Sequence, residues 1–195
     1  MSVLAAAPTL GQAPLWYLAR STGMVSFVLV TVALCLGIAS TQRALASPSW
    51  PRFATQGLHR NVSLLGLAFL GVHIVTTILD GYVNISWWAV VVPGISHYRG
   101  TWVALGTIAF DVIVAVIATS LVRLRMNATY WRRLHLTVYA AWPLAWLHFL
   151  KTGTDAAHGK FGLWIAIAAA VLVGVAVAAR TSLRDDPAPV RSVVR

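Results

Sequence analysis

Five apolar runs, at about residues 15–40, 57–80, 101–124, 131–151 and 161–180, leave this chain few ways to fold. A helix that crosses a bilayer needs roughly 20 apolar residues, and each run is about that long or longer. Of the 195 residues, 58% are hydrophobic and only 10% are charged, whereas an ordinary soluble domain carries about 25% charged residues. There is too little polar side chain to solvate a globular surface. The expected fold class is all-α, an integral membrane helical bundle of about five transmembrane helices. Residues 1–14 are small and uncharged and read as a flexible N-terminus rather than a signal n-region, which would be positively charged. Residues 15–180 form the expected transmembrane domain. Residues 181–195, charged and proline-containing, read as a disordered cytoplasmic tail.

The net charge of +10 does not point to nucleic acid, because the basic residues sit at the ends of the apolar runs and form no base-reading face. They follow the positive-inside rule instead. With five crossings, eleven Lys and Arg fall on one side and four (Arg20, Arg99, Lys151 and Lys160) on the other. The richer side is expected to be cytoplasmic, with the N-terminus outside and the C-terminus inside a plasma membrane. Residues 83–96 are apolar but too short to span, and Pro93-Gly94 interrupts them. They read as an interfacial or re-entrant segment on the outer side, with Trp87 and Trp88 at headgroup level. Cys35 stands alone, so no disulfide framework is expected. Asn61, Asn84 and Asn127 each open an N-x-[ST] triplet, a motif too short to assign a glycosylating compartment.

Two of the runs carry two histidines each. His59 and His73 lie 14 residues apart, and His135 and His148 lie 13 apart. As the second and fourth crossings, their helices run in the same direction. His59 and His135 then share the inner level, and His73 and His148 the outer. At 1.5 Å per residue the two spacings are about 21 and 20 Å, so the levels match. Two facing histidines at one depth are what bis-imidazole haem ligation requires. A single histidine in a membrane helix is more often a hydrogen-bonded packing residue, but polar residues at membrane depth are costly and usually functional. Zinc fits less well, because its ligands converge on one point and these pairs lie about 20 Å apart along the axis. Fourteen residues fall about 40° short of four full turns, which keeps His59 and His73 on one face; thirteen fall about 140° short. A distortion is needed in the second helix, and Pro143 supplies a place for it.

With these pairs, Arg20-x-x-Gly23, Leu58-His59-Arg60 and Trp131-Arg132-Arg133-Leu134-His135, the chain resembles the ferric reductase-like transmembrane domain family over roughly residues 15–155. That family includes ferric reductases, NADPH oxidases and the haem-binding membrane subunit of the periplasmic methionine sulfoxide reductase system. The last of these lacks a histidine at the position of His59, so this chain is closer to the full two-haem pattern. The resemblance implies an inner haem b held by His59 and His135 and an outer one held by His73 and His148. It implies electron flow from a cytoplasmic reductant to an extracytoplasmic acceptor: a ferric complex, a flavoprotein or a reductase partner. No G-x-G-x-x-G fingerprint is present, so the reductant is a separate flavoprotein or quinol, and any flavin comes from a partner. A haem-free membrane scaffold that anchors a partner enzyme is the competing class.

Haem propionates need cationic partners. Arg60, Arg132 and Arg133 border the inner pair, where they also serve topology, and Arg20 lies inside the first run at the outer level. Asp111 is an acid inside the third run, either a proton-transfer group, a partner of Arg20 or a neutral hydrogen-bonded acid. Tyr139 and Trp142 fall between the two histidine levels, and His97 and His158 are loop residues.

Overall fold

The computed structural model describes residues 13–41, 52–81, 83–153 and 161–182. The expectations for residues 1–12, for the tail beyond residue 182 and for His158 lie outside these. Among the described residues six α-helices follow in order: α1 (Ala13–Ser40), α2 (Arg52–Leu79), α3 (Gly100–Leu121), α4 (Ala128–Leu136), α5 (Val138–Thr152) and α6 (Phe161–Ser182). A short 3-10 helix, Trp87–Val90, lies between α2 and α3. Helices α1, α2, α3 and α6 are each long and apolar enough to cross a membrane. The run expected at 131–151 is split into α4 and α5, which meet at Thr137. The chain is an all-α membrane helical bundle.

Helix α1 is the centre of the bundle: it packs along α2 and also touches α5 and α6, while α3 packs along α5 and α4. Small residues let these helices approach closely, as is usual where lipid supplies no hydrophobic drive between them. Ala19, Ala33, Ala109, Ala141, Ala166 and Ala169 are all buried. Polar side chains then tie helix to helix. Ser26 Oγ donates to the Gly66 carbonyl (3.2 Å), joining α1 to α2. Trp142 Nε1 donates to Thr31 Oγ1 (3.0 Å), joining α5 to α1, and Trp146 Nε1 donates to the Ala166 carbonyl (2.9 Å), joining α5 to α6. Large apolar side chains such as Leu65, Leu79, Val171 and Val175 stay exposed; on a membrane helix that surface faces lipid.

The helix interruption falls at Thr137, not at Pro143, which sits inside α5. Thr137 N–H bonds the Leu134 carbonyl (3.0 Å), and Ala140 N–H bonds the Thr137 carbonyl (2.9 Å). These are three-residue steps of a tightened turn. Each such residue advances about 20° further than an α-helical one, which closes part of the 140° deficit between His135 and His148.

Residues 83–96 hold no helix long enough to cross, only the short 3-10 helix Trp87–Val90. Trp87 and Trp88 are exposed, whereas Ala89 and Ser96 are buried. Thr107 Oγ1 on α3 donates to the Ala89 carbonyl at 2.7 Å and pins the segment over one end of the bundle. Gly94, at φ 90°, makes the turn after Pro93 in a conformation that side chains resist.

Candidate functional site

Parallel α2 and α4–α5 bring the four histidines together as two pairs. At the end marked by Arg60, Arg132 and Arg133, His59 and His135 face each other with ring centroids 6.2 Å apart and planes at 68°. At the opposite end, His73 and His148 line one cavity of about 300 Å³. Residues Val83, Ile85 and Tyr98 close over it. The first is the arginine-side pair and the second the loop-side pair.

Each imidazole is fixed through Nδ1. His59 Nδ1 lies 2.8 Å from the Ala33 carbonyl, His73 Nδ1 2.8 Å from the Ala19 carbonyl and His148 Nδ1 2.8 Å from the Trp102 carbonyl. A carbonyl has no proton to give, so in all three rings Nδ1 carries the hydrogen, and in the neutral ring Nε2 keeps the lone pair. His135 Nδ1 lies 3.2 Å from Ser120 Oγ. That hydroxyl already donates its proton to the Val116 carbonyl at 2.7 Å, so here too the imidazole must donate. All four rings therefore present Nε2 as a lone-pair donor. That is the ligating form of histidine, and ligating histidines almost always make such a bond through the other nitrogen.

The helices opposite provide these acceptors by a repeated device. On α1, Ala19 and Ala33 supply the carbonyls, and Gly23 and Gly37 follow four residues later. On α3, Trp102 supplies the carbonyl and Gly106 follows four residues later. Along a helix the Cβ of residue i+4 leans back over the carbonyl of residue i. Without a Cβ the carbonyl is open to an incoming ring. A Cβ at Gly106 would stand 2.5 Å from His148 Nδ1, one at Gly23 2.7 Å from His73 Nδ1, and one at Gly37 3.2 Å from His59 Cε1. The fourth position of the pattern is Ser120, four residues after Val116.

The arginines divide by place. Arg20 is half-buried and lines the loop-side cavity, its guanidinium 3.9 Å over the Trp16 ring. Arg60 on α2 and Arg132 and Arg133 on α4 are exposed. Asp111 is half-buried midway along α3, and His97 is exposed. Between the two pairs, Tyr139 OH accepts from Arg180 (2.6 Å). Phe27 stacks on Phe149 at 4.6 Å and on Trp142 at 6.4 Å. Asp80, buried beside the loop-side cavity, had no part in the sequence reading. Nor did Gly37, Gly106 and Ser120. The 14-residue interval from Gly23 to Gly37 repeats from Gly106 to Ser120 and equals that from His59 to His73; it was the signal available. Among the described residues no three of His, Cys, Asp and Glu converge as a metal-binding group.

The family model described as "Ferric reductase like transmembrane component" matches residues 22–146. The match takes in three of the four histidines; Arg20 and His148 lie just beyond its two ends. Comparison with curated proteins and with solved structures gives no match.

Proposed function

The chain belongs to the ferric reductase-like transmembrane family, and from that premise we propose that this multi-pass membrane electron-transfer component is a di-haem cytochrome b. The observation that carries the reading is the geometry of the arginine-side pair. Two metal–imidazole bonds of about 2 Å each, extended to the ring centres, call for centroids roughly 6 Å apart; His59 and His135 stand at 6.2 Å. The loop-side pair supports a second haem by the same logic of tautomer and carbonyl contact.

A bound haem supplies a one-electron iron couple. The residues of this chain do the rest. His59 with His135, and His73 with His148, would hold the two haems. Gly23 and Gly106 leave room for the rings, and apolar walls including Phe27, Ile113 and Phe149 keep the loop-side site dry. Arg20 stands at the loop-side cavity for a propionate, and Arg60, Arg132 and Arg133 stand at the other end for the second haem. The transmembrane domain of residues 15–180 then carries electrons from a cytoplasmic reductant or quinol to an extracytoplasmic acceptor. That acceptor is a ferric complex, a flavoprotein or a reductase partner. The arginine side faces the cytoplasm and the loop side the exterior. Any flavin belongs to a partner. A haem-free scaffold gives no reason for four imidazoles to be pinned through Nδ1 with every Nε2 lone pair retained.

The test is pyridine haemochrome stoichiometry on the purified protein. Two haems b per chain are expected; one would remove a histidine pair from the reading, and none would overturn it. A C-terminal reporter active only outside the cell should stay silent, and activity there would reverse the orientation.

A further inference from the structure

The pattern that holds the four imidazoles has one departure, at Ser120. Three rings donate to a bared helix carbonyl at 2.8 Å. His135 instead donates to a side-chain hydroxyl at 3.2 Å. The same oxygen accepts from Trp131 Nε1 at 3.4 Å, while its proton goes to the Val116 carbonyl. A hydroxyl has one proton and two lone pairs, so with these three bonds Ser120 is saturated, and His135 shares its acceptor. The Trp131 ring also lies 5.0 Å from the His135 ring, tilted by 32°. The Ser120 Cβ covers the Val116 carbonyl, and the hydroxyl passes the contact outward to His135.

We propose that Ser120 is a positioning residue that tunes the arginine-side haem through His135. The inference rests on the reading that His135 ligates haem. A strong acceptor on Nδ1–H makes an imidazole more basic and favours ferric iron; the hydrogen bonding around a ligand is a recognised lever on haem potential. The long, shared bond to Ser120 makes His135 the least anionic of the four rings. It biases the arginine-side haem toward the reduced form, which the carbonyl-bound loop-side haem is not. One end of the electron path is therefore set apart from the other by a single hydroxyl.

The experiment is a redox titration with low-spin EPR on the full-length protein and its Ser120 variants. Ser120→Gly bares the Val116 carbonyl, as at the other three sites. The arginine-side midpoint should fall by the equivalent of about tenfold in the reduced-to-oxidised ratio, or about 59 mV for one electron. Ser120→Ala keeps the cover and removes the acceptor. It should shift the midpoint upward or release that haem alone. Ser120→Thr retains the hydroxyl and should restore the parent midpoint. The loop-side signal should stay fixed throughout, which shows that the bundle has folded. Equal arginine-side midpoints in the Gly and Ala variants, or loss of that haem in Ser120→Gly, would overturn the proposal. Absence of haem from the parent protein would instead overturn the functional reading beneath it.

Discussion

The loop-side and arginine-side histidine pairs both draw one ring from α2 and one from the α4–α5 run, yet they are held differently. His73 and His148 each meet a helix carbonyl beside a glycine, under a segment that Thr107 pins across the end of the bundle. His59 has the carbonyl with a looser glycine contact, and His135 has a serine in place of both. The loop-side site is symmetric, tight and roofed, whereas the arginine-side site is asymmetric and flanked by exposed arginines. A pattern repeated along α1 and α3 does not yield two equal sites. The small residue at each fourth position decides how closely an imidazole is gripped.

The histidines test the pairing most severely. His73→Ala and His148→Ala should each remove the same haem, and the double variant should lose little more, because residues acting as a unit are not additive. His59→Ala and His135→Ala should behave likewise at the other site. Spectra of the four variants decide it. If His73→Ala and His135→Ala lose one haem in common, the pairing by depth is wrong.

The glycines sharpen the comparison into a gradient. Overpacking costs about 1–3 kcal/mol, and the approach distances rank Gly106→Ala as most damaging, then Gly23→Ala, then Gly37→Ala. Haem retained per chain should rise in that order, with the first two affecting only the loop-side haem. Equal retention across the series would mean that the grip is not set at these positions.

The roof should matter less. Thr107→Val removes the bond to the Ala89 carbonyl, and loss of one buried hydrogen bond costs about 1 kcal/mol. A small drop in thermal stability is expected, together with faster loss of the loop-side haem; the arginine-side spectrum should not change. The arginines should show the smallest effects. Single replacements of Arg60, Arg132 or Arg133 by Gln change an exposed charge worth about 1 kcal/mol or less, so they should barely move the arginine-side midpoint. Arg20→Gln, at a half-buried position against the cavity, should shift the loop-side midpoint more. The reverse order would show that the arginine-side haem depends on a specific guanidinium.

Much of this molecule is written in local composition. Apolar runs of spanning length have few ways to be solvated other than by lipid, so the helical membrane bundle follows from residues 15–180 without any knowledge of contacts. The interval of 14 residues between His59 and His73 places both on one face of α2 by helix geometry alone. The interval of 13 between His135 and His148 did not, and the tightened turn at Thr137 that closes part of the difference became visible only in the fold. Proline marked the region; packing chose the residue. What the sequence by itself did not determine was the acceptor for each Nδ1. Every residue has a carbonyl, so nothing in the letters Ala19, Ala33 or Trp102 distinguishes theirs. Only the tertiary structure, by laying α1 and α3 against the histidine helices with Gly23, Gly37 and Gly106 in register, decided which carbonyls are bared and left His135 to Ser120.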